Sequence, residues 1–125
     1  MNEIELLAPV GSFDALKAAV QNGANAVYLG GKDFSARASA NNFDREELIE
    51  AVKYAHIRDV RVFVTTNTLI KQDEIEDFVE YAKFLYDIDV DALIMQDIGV
   101  AMLIHEQISL YLHLYYHKYI LFHLQ

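Results

Sequence analysis

The stretch "YLGGKDFSARAS" gathers Gly30, Gly31, Lys32, Ser35, Arg37 and Ser39 within a dozen residues. Backbone amides exposed at glycines, a guanidinium fork and a nearby ammonium suit a carboxylate or phosphate, so the pattern points to an anionic substrate group. It is not a phosphate-binding loop of the nucleotide type, because the GxxxxGK[ST] spacing is missing. Plainer readings stand beside it: the glycines turn the chain, and Lys32 and Arg37 are solvated loop charges. Further on, Asn67 in "TTNTL" and Gln96 and Asp97 in "MQDIG" add amides and a carboxylate. Asp97 reads first as a helix cap, whereas amides at such places need partners and are more informative. Four histidines, His105, His113, His117 and His123, crowd the final stretch, and His113 with His117 has the i,i+4 spacing of metal ligands. No carboxylate accompanies that pair, so no metal site is assigned. His56 reads as a packing or surface histidine. No cysteine is present, which removes thiol nucleophiles, disulfides and thiolate metal sites.

Positioning these groups requires an ordered frame, and the hydrophobic pattern supplies one. Three times an amphipathic helix is followed by a break and a short apolar strand: "QNGANAVYLGG" with its break at Gly23, "IRDVRVFVTTN" at Asp59 and "DIDVDALIMQD" at Asp89. The breaks recur at the spacing of one βα unit. Each stands where a helix needs a left-handed cap, free for glycine and costly for aspartate. The strands Ala26–Leu29, Val62–Thr65 and Ala92–Met95 are short and apolar, as strands covered on both faces should be, and "IELLAP", ended by Pro9, opens the chain with a fourth. Ser12 caps a helix over Phe13–Gln21, with Ala15, Leu16, Ala19 and Val20 on one face. Asp44 begins a second helix with Leu48, Ala51, Val52 and Ala55 inward. Asp73 begins a third with Ile75, Phe78, Val79, Ala82, Phe84 and Leu85 at helical spacing, and a fourth starts near Ile98. The order βαβαβαβα means an α/β fold with a parallel sheet.

Two architectures satisfy that order. A flavodoxin-like open sheet fits 125 residues without remainder, whereas a (β/α)8 barrel needs about 250 residues and would be present here only as its first half. In both, ligands sit at the carboxyl ends of the strands, which is where Gly30, Gly31, Lys32, Arg37, Asn67, Gln96 and Asp97 fall.

Composition bounds the function. A hydrophobic fraction of 54% supports one modest domain, and a net charge of −9 argues against general binding to nucleic-acid backbones. The amino end carries no secretory signal pattern, and no apolar run reaches the ~18 residues of a membrane span. A cytoplasmic protein without membrane partners is expected.

The segments "IELLAPVGSFDALKAAVQNGANAVYLGGKDFSARASANNF", "VFVTTNTLI" and "DALIMQDIGV" resemble the amino-terminal part of the collagenase-like peptidases, family thirty-two of the peptidases of unknown catalytic type. The resemblance runs from Ile4 to Glu106 and rests on LLAP-x-G, AVYLGG, FSARA, NTL and QD in that order. It implies the first half of a TIM-like barrel rather than a closed flavodoxin-like sheet. It implies a protease, or a protein acting in hydroxylation of RNA bases or of a ubiquinone precursor. Some full-length relatives hold an iron–sulfur cluster through cysteines in their later half; those are absent here, and no cofactor is expected in this chain. The seven strand-end residues named above carry over as barrel-mouth residues binding a small-molecule or peptide substrate, without catalytic roles.

The pattern breaks in two ways. Family glycines before the third and fourth strands appear as Asp59 and Asp89, each costing ~1 kcal/mol if the site is left-handed. Residues 1–108 therefore read as four βα units and residues 109–125 as a divergent tail. There "LYYHKYILFHLQ" replaces a polar HxSTQ-like stretch, as in a frameshifted or truncated fifth unit. Half a barrel exposes the edges of strands one and four and one face of its sheet, so self-association or poor stability is expected, and an incomplete, inactive enzyme.

Overall fold

A computed structural model describes residues 4–35, 42–111 and 119–122. The tail histidines His113, His117 and His123 lie outside the described residues, as does Arg37. Five strands alternate with four helices: β1 Leu7–Pro9, α1 Phe13–Gln21, β2 Ala26–Gly30, α2 Arg45–Ile57, β3 Arg61–Thr66, α3 Ile75–Asp87, β4 Ala92–Met95, α4 Ile98–Tyr111 and β5 Tyr119–Phe122.

Local chemistry sets the helix ends. The Ser12 hydroxyl accepts from the Ala15 N–H at 3.1 Å, and Asp44 and Glu47 form a reciprocal capping box at 2.8 and 3.2 Å. The third start differs from expectation: Asp73 lies inside a 3-10 turn, Gln72–Glu74, that leads into α3. The three breaks share one geometry. Gly23, Asp59 and Asp89 have φ of 91°, 59° and 70°. After α2, Asp59 N–H donates to His56 O at 3.0 Å and Val60 N–H to Ala55 O at 2.9 Å; after α3, Asp89 donates to Tyr86 and Val90 to Leu85 in the same way. These paired bonds are Schellman motifs, each followed by a residue that dives into the core: Ala24, Val60 and Val90 are all buried. A left-handed cap thus feeds each helix into the next strand, and two of the three do so without glycine.

All five strands are parallel, in the order β1-β2-β3-β4-β5. This settles the choice between the two architectures. A flavodoxin-like sheet places its first strand inside the order, but here β1 is an edge and every crossover steps the same way, as in a barrel. The second edge also moves. It falls on β5 and not on the fourth strand, because β5 adds in register, Tyr119 beside Ala92 and Leu121 beside Ile94.

The sheet has one sealed face. Val27, Leu29, Val62, Val64, Leu93 and Met95 point to the helices and are buried against Leu16, Leu48, Phe78, Leu85 and Ile104. On the opposite face Tyr28, Phe63, Thr65 and Ile94 are only half-buried, and Leu7 is 44% exposed. Ala26 and Ala92, both small, are buried there. In a full barrel this face lines the interior. At the opposite end of the sheet from the mouth, Asp91 Oδ2 accepts from His56 Nε2 at 2.8 Å and from the Val62 N–H at 2.7 Å, tying α2 to the starts of β3 and β4. His56 is a structural tie, in keeping with its plain reading.

Candidate functional site at the strand ends

The carboxyl ends of β2, β3 and β4 form the mouth. Register sets Gly30 beside Thr65 and Thr65 beside Ile94, on the uncovered face. The Thr65 hydroxyl donates to the Leu29 carbonyl at 3.2 Å and lies 3.4 Å from the Ser35 hydroxyl, while Thr68 donates to the Phe34 carbonyl at 3.2 Å. The loop after β2 is thereby fastened to the end of β3. Gly30 is glycine because a Cβ would stand 2.6 Å from Ser35 Oγ and 3.1 Å from Thr65 Oγ1.

Gly31 has a different reason. A Cβ there would meet the Tyr81 hydroxyl at 2.1 Å, so the side chain at this position must be absent for α3 to pack as it does. The chain then runs out and returns to pair at Phe43: the Lys32 N–H donates to Phe43 O and the Phe43 N–H to Gly30 O, both at 3.0 Å. Phe34 takes a left-handed φ of 56°, unusual for an aromatic residue. Its ring packs edge-on to Phe78 at 5.1 Å and against Tyr81 at 5.8 Å, contacts that hold the strained backbone in place.

The strand-end residues do not all share one surface. Gly30, Asn67 and Gln96 sit at the ends of β2, β3 and β4, with Asn67 half-buried and Gln96 exposed. Asp97 is committed as a tie: Oδ1 accepts from the Val100 N–H at 3.1 Å and Oδ2 from the Ile70 N–H at 3.3 Å. Lys32 faces a cleft of about 230 Å³ on the helix side of the loop, lined also by Asp33, Phe43, Asp44, Arg45, Leu48 and Tyr81. Two cations and two carboxylates balance there. The backbone N–H of Glu47 holds the Asp44 carboxyl below the usual carboxylate range, with the Lys32 ammonium adding to the effect. Arg45 stacks over the Phe84 ring at 4.7 Å. Burial pushes the Tyr81 phenol well above its ordinary range, and Asp33 pushes the same way against Arg45. Its hydroxyl is buried with no hydrogen-bond partner.

Sequence reasoning missed Phe34, Thr68 and Tyr81. Tyr81 was not among the inward positions read for α3, yet it is buried there beside Phe78, Ala82 and Leu85. The useful signal was the glycine pair, since paired glycines at a strand end also mark close approach by another chain segment.

Chemically, this half of the mouth offers hydroxyls and amides. The hydrogen bonds of Ser35 and Thr65 among the described residues run to each other and to a backbone carbonyl, and none reaches a histidine or carboxylate, so no nucleophile–base pair is assembled. No cluster of metal-ligating side chains occurs among the described residues. An iron–sulfur cluster would find no thiolate, since the chain has no cysteine. No helix among the described residues is long and apolar enough to cross a membrane.

Parallel strands in sequential order, helices on one face and polar strand ends define half of a TIM-like barrel. The profile of Peptidase family U32 matches residues 11–118, and the chain belongs to that family. It is 42% identical over 103 residues to an uncharacterized protease of Methanocaldococcus jannaschii, covering 82% of this chain and 25% of that protein. It is 39% identical over 93 residues to tRNA hydroxylation protein P1 of Bacillus subtilis, covering 74% and 22%. The chain thus spans about a quarter of the length of these curated relatives. A solved U32 peptidase superposes with a TM-score of 0.71 at 13% identity, over 96% of this chain and 48% of that one. That likeness shows the fold, and with it the half-barrel.

Proposed function

We propose that this chain is the substrate-holding amino-terminal half of a U32 barrel, without catalytic activity by itself, and that the group it holds is planar and hydrogen-bonding, such as a nucleobase of an RNA to be hydroxylated. The supporting observation is the mouth itself. Thr65, Ser35, Asn67 and Gln96 bring donors and acceptors to the strand ends above the half-buried rings of Tyr28 and Phe63, and no nucleophile is activated among them. Stacking on aromatic rings with amide and hydroxyl readout is how unpaired bases are held. A net charge of −9 leaves the grip on the RNA backbone to elements outside these residues. A cytoplasmic setting suits such a substrate.

Peptide hydrolysis is the second reading, favoured by the Methanocaldococcus relative's description as a protease. Titrating the chain with free nucleosides and, separately, with a short collagen-like peptide, followed by NMR of backbone amides, separates the two. Nucleoside-dependent shifts at Thr65, Asn67 and Gln96, with no cleavage of the peptide, are expected. Peptide cleavage by the chain alone, or shifts confined to the Lys32 cleft, would overturn the proposal.

A further inference from the structure

The cleft beside Lys32 has a charged rim and an apolar floor. Lys32, Asp33, Asp44 and Arg45 stand at the rim, two of each sign, and among the described residues none of the four is held in an ion pair. Phe43, Leu48 and Tyr81, each no more than 2% exposed, form the floor. Arg45 is positioned by stacking, 4.7 Å from the Phe84 ring centre and 5.7 Å from that of Tyr81. Stacking uses the face of a guanidinium and leaves its N–H edge as a donor. The Tyr81 hydroxyl ends beneath Gly31, at the root of the loop that carries Lys32 and Asp33, and Asp33 and Arg45 act on its ionisation in opposite directions. It is buried without a hydrogen-bond partner, a costly state that an acceptor entering the cleft would relieve. At about 230 Å³ the cleft is smaller than the ~300–1,000 Å³ of drug-sized sites, so its occupant is small.

We infer that this cleft is a second binding site, separate from the mouth, for a small zwitterion with ammonium and carboxylate on one carbon, as in a free α-amino acid with an apolar side chain. The charges select that class. Asp33 and Asp44 repel a simple anion, Lys32 and Arg45 repel a simple cation, and a neutral apolar molecule would strip water from all four with nothing in return. A zwitterion meets both pairs: its carboxylate goes to Lys32, Arg45 and the Tyr81 O–H, its ammonium to Asp33 and Asp44. Its side chain rests on Phe43 and Leu48. The site lies on the helix side of the loop, away from Asn67 and Gln96, and does not depend on what the mouth holds. Nucleosides carry neither charge and a peptide carries them at opposite ends, so this inference and the reading of the mouth fail separately.

The test is a titration of the 125-residue chain with free phenylalanine, followed by NMR of backbone amides. Saturable shifts at Lys32, Asp33 and Arg45 are expected, with none at Thr65 or Gln96 and a dissociation constant on the order of 1 mM, as suits a ligand of about 12 non-hydrogen atoms. N-acetylphenylalanine, which lacks the ammonium, and phenylalanine amide, which lacks the carboxylate, each bind about tenfold more weakly or worse. Tyr81→Phe weakens binding about tenfold, the loss of one hydrogen bond to a charged group, while the urea midpoint of the free chain holds or rises. A purely structural hydroxyl would show the reverse. Arg45→Gln and Asp33→Asn, both at exposed positions where folding is spared, weaken binding in the same direction. The absence of saturable shifts at the cleft, equal binding of either derivative, or an affinity indifferent to Tyr81→Phe, Arg45→Gln and Asp33→Asn would each overturn the inference.

Discussion

Gly31→Ala tests the packing of the strand-end loop directly. The new methyl would lie 2.1 Å from the Tyr81 hydroxyl, 3.3 Å from Cζ of the same ring and 3.4 Å from a Leu48 methyl. The ring cannot swing freely, since Tyr81 is 1% exposed and wedged beside Phe34. Overpacking at such a site costs ~1–3 kcal/mol. Tyr81→Phe alone removes a buried hydroxyl that has no partner, so it should be neutral or stabilising by about 1 kcal/mol. In the double variant the 2.1 Å clash disappears, and the 3.3 Å contact with the ring and the 3.4 Å contact with Leu48 remain. The cost of Gly31→Ala should then fall below about 1 kcal/mol, a coupling of ~1–2 kcal/mol. Urea unfolding of the four proteins at one fixed concentration measures the cycle, the midpoint shifting while the slope stays constant. Additive effects, or a Tyr81→Phe variant destabilised by more than 1 kcal/mol, would refute the argument that this glycine exists for that hydroxyl.

The same phenol predicts an alkaline limit. Its folded pKa lies above the unfolded value of 10.0, so the unfolded chain loses that proton first as pH rises, and stability present below about pH 10 declines above it. Tyr81→Phe should flatten this part of a pH–stability profile, and an unchanged slope would count against the burial argument. Asp59→Gly relieves a left-handed aspartate at φ 59° by ~1 kcal/mol, offset in part by the added freedom of the unfolded chain. A net rise in stability of roughly 0.5 kcal/mol, read as a higher thermal midpoint, is expected, and a fall would deny the strain. Asp97→Ala removes acceptors from two backbone N–H groups, Val100 and Ile70, and should cost about 1–2 kcal/mol in chemical unfolding, more than Asp97→Asn, which keeps one carbonyl oxygen.

What the amino-acid sequence determined by itself is what short-range forces decide. Ser12, Asp44 and the apolar faces of α1 to α3 follow from capping and periodicity within a few residues. The left-handed breaks at Gly23, Asp59 and Asp89 were legible because a Schellman cap is a local backbone event, recognisable even where aspartate replaces glycine. The strand-end positions of Gly30, Asn67 and Gln96 were legible for the same reason, since a strand's direction decides which end its last residue occupies. Tertiary structure decided the rest. Length alone favoured a flavodoxin-like sheet and the family resemblance a half barrel; strand order, set by which edges pair through space, agrees with the resemblance, since β1 took the edge. Asp73, read as the start of the third helix, falls inside a 3-10 turn that leads into it. Lys32 turned to the helix side of its loop, away from Asn67 and Gln96, because the chain after Gly31 returns to pair at Phe43. The demand for glycine at position 31 comes from Tyr81, fifty residues further along, and only when α3 packs on the sheet does that hydroxyl arrive where a side chain would have been.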